Sequence, residues 1–128
     1  HAYYLIKHSD IGGLTAEEIE VVANVARYHR RSMPTAKHEG YGDLSVKLKR
    51  TVRILSALLR VADALDRTHF SVVQTVNVKI GEMLTIETMV TGDAAMEIWS
   101  ASQRTDLLEQ VFRRRVRFIE VAQDSAKP

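Results

Sequence analysis

The sequence predicts an α+β fold, with a helical region over residues 1–70 and a small α/β subdomain over 71–128 built on a three- to four-stranded sheet. Two patterns predict it. Apolar residues recur at three- and four-residue steps through the first half, whereas after Asp66 β-branched residues alternate with polar ones. Glycine-bearing breaks at Gly12-Gly13, Gly40, Gly42, Gly81 and Gly92 separate the runs.

Tyr4, Leu5, Ile6 and His8 read as the tail of a helix closed by Gly12-Gly13, so the chain is expected to begin inside a structured element and to be a fragment. Thr15 and Glu18 form a capping box, and Ile19, Val22, Ala23 and Ala26 follow at helical spacing, which predicts a helix over 15–31. Ser32, Met33 and Pro34 stop it, and the polar stretch to Asp43 is expected to be a loop. Ser45 can cap a long helix over 45–67. Its expected buried stripe is Leu48, Val52, Leu55, Leu59 and Ala62, flanked by Ile54, Leu58, Val61 and Leu65. Lys49, Arg50, Arg53, Ser56, Arg60 and Arg67 are expected on its wet side. Val72 to Ile80 and Leu84 to Met89 alternate as two strands of a hairpin turning at Gly81-Glu82. Residues 95–101 alternate weakly, which favours a third strand. Thr105 to Arg113 reads as a short helix with Leu107, Leu108, Val111 and Phe112 inward, and Val116, Phe118, Ile119 and Val121 as a last strand before a polar tail.

A chain of 128 residues suffices for a core without disulfides or metal. It has no cysteine, which excludes thiolate chemistry and fits a reducing compartment, so a cytoplasmic location is expected. No apolar run reaches the roughly 20 residues of a membrane helix, and no membrane partner is expected. The net charge is only +2, so neither is general attraction to nucleic acid. What matters is clustering of the 18 Lys and Arg, as at Arg27, Arg30 and Arg31, at Lys47 to Arg53, and at Arg113 to Arg117.

His29 follows Val22 and Ala26 at helical spacing and so points to the buried side, as a hydrogen-bonded core-edge histidine, a metal ligand or a phosphate contact. Asp63 and Asp66 lie one turn apart in or beside the apolar stripe, where a carboxylate needs a cation, a metal or donors. Arg60 and Arg67 are in reach of Asp63 for an Arg-Asp network. Three guanidinium forks around Tyr28 and His29 offer a multidentate anion contact, although a cation at a helix C-terminus also complements the dipole by about 0.3–1 kcal/mol. For Arg113 to Arg117, alternation along a strand would leave some side chains merely solvated. There is no Walker-type glycine loop, nucleophile elbow or paired-cysteine motif.

Taken together, His1-Ala2-Tyr3-Tyr4-Leu5-Ile6, Ala26-Arg27-Tyr28-His29-Arg30, and Leu58-Leu59-Arg60-Val61-Ala62-Asp63-Ala64-Leu65-Asp66-Arg67-Thr68-His69 resemble, in order and spacing, the C-terminal region of the exopolyphosphatase and guanosine pentaphosphate phosphatase (Ppx/GppA) family. The resemblance implies a helical domain of the HD type. It implies that the family's catalytic carboxylates, with Mg2+, lie in an upstream actin-like domain, so that this chain alone is expected to be inactive and without a cofactor of its own. It further implies polyphosphate or guanosine pentaphosphate as the parent's ligand, a homodimer, and Arg27, His29, Arg30 and Arg31 as polyphosphate contacts. His1, His29 and Asp63 match later positions of the metal-ligand pattern of HD hydrolases. The His-Asp doublet of that pattern is missing, its nearest likeness being His8-Ser9-Asp10. Two other expectations stand beside the accessory-domain one: an HD-type metal phosphohydrolase, and a purely structural dimerisation module.

Overall fold

The structure is a computed structural model and describes residues 2–30 and 32–122. Among these, five helices and a three-stranded mixed sheet give an α+β fold, in the order α1 (Ala2–Lys7), α2 (Ala16–Tyr28), α3 (Val46–Leu65), β1 (Val73–Ile80), β2 (Leu84–Val90), α4 (Ala95–Ser102), α5 (Asp106–Phe112) and β3 (Val116–Ala122). No helix among the described residues is long and apolar enough to cross a membrane. The chain forms two compact units, one up to Leu59 and one from Arg60, so the division falls within α3.

In the first unit the helix starts are local and strong. The Glu18 N–H donates to Thr15 Oγ1 at 3.1 Å and the Thr15 N–H donates to Glu18 Oε1 at 2.8 Å, which satisfies two donors that a helix start otherwise leaves unpaired. Ser45 caps α3 by accepting from the Leu48 N–H at 3.2 Å. The core gathers Val21, Tyr28, Tyr41 and Val52, with Val25, Leu44 and Leu48 against it. The loop between α2 and α3 is tied down rather than loose. Buried Asn24 donates to the Glu20 carbonyl at 2.9 Å and the Gly40 carbonyl at 3.2 Å. Gly40 has φ +87°, and a Cβ there would collide with the Tyr3 hydroxyl and stand 2.6 Å from Glu20 Oε1.

The second unit is organised on β2. β1 runs antiparallel to β2 and β3 parallel to it, in the order β1-β2-β3. Leu84, Ile86, Thr88 and Val90 are buried, as are Ala94, Ala101, Leu107 and Leu108 on and around the helices that follow. β1 is an edge strand, and all but its first residue are exposed. The buried carboxylate of Glu97 accepts from the Thr68 hydroxyl.

Several expectations are corrected. Residues 95–101 are helical, not a strand. Glu97 and Ala101 are buried four residues apart, and Asp93 Oδ1 accepts from the Ala95 N–H at 3.0 Å just before the first turn, so a period of 3.6 wins over a weak alternation. In α3 the buried residues are Val52, Ser56, Ala57, Arg60, Val61, Ala64 and Leu65, whereas Leu55, Leu58 and Leu59 are more than two-fifths exposed. Small side chains admit a close neighbour, and a guanidinium stem covers apolar surface, so hydropathy alone misplaces this face. Asp63 and Asp66 are exposed, not in the core. The first helix ends at Lys7, where the Ser9 hydroxyl donates to the Leu5 carbonyl, and Gly13, with φ +86°, belongs to a later turn. α2 stops at Tyr28, short of residue 31, and Val111 and Phe112 are only half-buried.

Candidate functional site

The basic end of α2 is built from its neighbours inward. Arg27 is half-buried: its guanidinium carbon stands 3.7 Å above the centre of the Tyr3 ring, a cation–π geometry, and Nη1 donates to the Glu39 carbonyl at 3.0 Å. Tyr3 donates its hydroxyl to Glu20, whose other oxygen lies 3.8 Å from Lys7 Nζ. Burial and then the Glu20 contact push the Tyr3 phenol above its usual pKa, and the Tyr3 contact, then Glu20, raise Lys7. α1 and α2 are thereby joined through a chain of charge-assisted bonds that ends at Arg27.

Next to it Tyr28 is fully buried, its hydroxyl 2.7 Å from His38 Nδ1, with the two rings stacked at 5.5 Å and 24°. Tyr41 meets the Tyr28 ring edge-on at 5.5 Å. Burial raises the Tyr28 pKa and neighbouring Arg27 pulls it the other way, so at neutral pH the phenol keeps its proton.

Of the residues singled out in the sequence, Arg30 is exposed at the turn after α2. His29 is half-buried, its Nδ1 proton donated to the Ala26 carbonyl at 2.8 Å. Arg27 is engaged by Tyr3 and Glu39. Arg31 and His1 lie outside the described residues. Asp63 is exposed on α3, and Asp66 Oδ2 lies 3.3 Å from His69 Nδ1. Among the described residues no three His, Asp or Glu side chains come together closely enough to hold a metal ion. Sequence reasoning missed Tyr3, Glu39 and His38 as partners of this helix end. No spacing rule joins them to it, because the loop brings His38 and Glu39 back only after it has folded.

In the second unit Arg60 is buried, which lowers its pKa below the ordinary guanidinium value. Arg104 lowers it further and Asp106 opposes the shift. On the sheet, Arg117 Nε donates to Thr85 Oγ1 at 2.8 Å and Arg114 Nε to the Gly81 carbonyl at 2.8 Å.

These features define an α+β domain in which Arg27, at the end of α2, is held by a ring and a carbonyl. Residues 1–109 match the family model described as Ppx/GppA phosphatase, domain III, and the chain belongs to that family. No curated protein matches it in sequence.

Proposed function

We propose that this domain serves a Ppx/GppA phosphatase as an accessory module that holds the phosphate chain of its substrate and helps to pair two copies of the enzyme. Hydrolysis of terminal phosphoanhydride bonds, and the Mg2+ that goes with it, belong in this reading to an actin-like domain of the same enzyme.

One observation carries the reading: a family-matched helix ends on a cluster of cations whose innermost member is locked. Arg27 is fixed over Tyr3 and on the Glu39 carbonyl, which orients the helix end, and Arg30 stands at the surface one residue beyond His29. In this reading Arg30 and Arg31 meet phosphate oxygens, with His29 held in one orientation by its bond to Ala26. Exposed Leu55, Leu58 and Leu59 on α3 supply an apolar face suited to a second copy.

The test is titration with long-chain polyphosphate at two salt concentrations. Affinity should fall with added salt, as it does wherever cations displace counterions from a polyanion. The double change Arg30→Ala and Arg31→Ala, which spares the Arg27 clamp, should weaken binding at least several-fold. Unchanged affinity in that variant would sink the reading.

A further inference from the structure

The arginine run near the C-terminus is not used by the α2 reading, and Arg117 lies beyond the residues matched by the family model. In the sheet register Lys79 and Arg117 both pair with Thr85, one from each side, so Lys79, Thr85 and Arg117 form a single row across one face. Side chains of directly paired residues project to the same side, which puts two cations on either side of one hydroxyl. Thr85 is 95 % buried at the floor of an open concavity that these three residues line with Met83, Glu87 and Ile119.

We infer that this row is a phosphate-binding site, distinct from the end of α2. Thr85 Oγ1 accepts from Arg117 Nε at 2.8 Å, which fixes the plane of the guanidinium and leaves the hydroxyl hydrogen to be donated. The fork of Arg117, the hydroxyl of Thr85 and the ammonium of Lys79 then provide donors from three strands, more than a carboxylate needs and suited to a tetrahedral oxyanion. Two carboxylates line the same concavity: Glu87, which accepts from Asn77 Nδ2 at 3.0 Å and lies 3.4 Å from Lys79 Nζ, and Glu82 beside Gly81. Among the described residues Arg117 is therefore the cation there that no ion pair engages. Arg114 adds positive charge at the same end of the sheet, where it is tied to the Gly81 carbonyl, and Gly81 leaves the rim open because it has no side chain there. The ligand class is a phosphate group carried either by an inorganic oligophosphate or by a nucleotide.

The full chain should be titrated with inorganic triphosphate and, separately, with ATP, following backbone amide shifts by NMR, with acetate at matched ionic strength as the control. Either phosphate should shift Lys79, Thr85 and Arg117 most, and the tighter of the two identifies the source. Arg117→Ala, an exposed position whose loss leaves the fold intact, should lower affinity at least tenfold. Arg117→Lys should recover only part of it, because lysine cannot reproduce the Nε anchor on Thr85. Arg30→Ala should leave these shifts in place even if long-chain polyphosphate binding at α2 fails. Shifts confined to the end of α2, equal binding of acetate, or unchanged affinity in Arg117→Ala would each overturn the site.

Discussion

Tyr28 shows how much a single buried hydroxyl settles. Its hydroxyl is hydrogen-bonded to His38 Nδ1, and its ring is packed by Tyr41 and by His38 itself, so the loop after α2 is anchored from within. Both Tyr28 and Tyr3 hold their protons more tightly in the folded chain than an ordinary tyrosine, mainly because of burial. Their contribution to stability is therefore complete below the unfolded value of about pH 10 and is lost as pH rises through the higher folded values. Urea unfolding from about pH 9 to about pH 11.5 should show stability falling, with a shallower slope in Tyr28→Phe; identical slopes would refute it. Below that range the same variant should cost about 1 kcal/mol, for the bond to His38. The capping box of Thr15 and Glu18 was legible in the sequence because its partners are three residues apart. The Tyr28–His38 bond was not, since it needs a tertiary path that composition does not encode. The same holds for Arg27, which reads as an anion ligand by its neighbours in sequence and is held over a ring contributed by another helix.

At the scale of the element, α3 separates helical periodicity from the choice of face. Its length and type follow from spacing alone, yet the inward side is set by how closely other elements approach. Ser56 and Ala57 are fully buried, whereas Leu58 and Leu59 are not. Ser56→Leu should therefore destabilise by about 1–3 kcal/mol through overpacking, and Leu58→Ala by less than about 1 kcal/mol, in urea unfolding of dilute protein. The reverse order would place the leucine stripe inward. α4 makes a related point. Its short run of Ala95 to Ser102 carries too few residues for the period to be read with certainty, and the burial of Glu97 against Thr68 is what distinguishes helix from strand. The β1–β2 hairpin was legible because β-branched alternation and Gly81 agree. The parallel pairing of β2 with β3 was not, because it joins strands separated by two helices.

The whole molecule is two compact units that share one helix. Val52 of α3 belongs to the core of the first, while Val61, Ala64 and Leu65 are buried residues of the second. A proline at Leu59, at the division, removes a helical hydrogen bond to the Leu55 carbonyl and costs about 3 kcal/mol or more. The chain carries its own reporters of the result, because all four tyrosines precede Leu59 and the single tryptophan, Trp99, follows Arg60. Leu59→Pro should lower the midpoint of both the tyrosine and the tryptophan unfolding signals, and a shift in only one would show that the helix supports one unit alone. The α+β class itself was legible from the change of texture after Asp66, since a period of 3.6 and a period of 2 survive averaging over many residues. Site geometry depends on a few contacts and does not survive it.

The open edge of β1 bears on how the protein behaves in concentrated solution. Val76, Val78 and Ile80 are exposed along a strand whose outer backbone groups have no sheet neighbour among the described residues, and Lys79 is the strand's only charge. A row of unpaired amides beside alternating aliphatic side chains is a template for further strands, and a lysine in the row resists it by repulsion and hydration. Lys79 therefore serves colloidal stability as well as recognition: whatever neutralises it, an acetyl group included, would remove the gatekeeper of the edge.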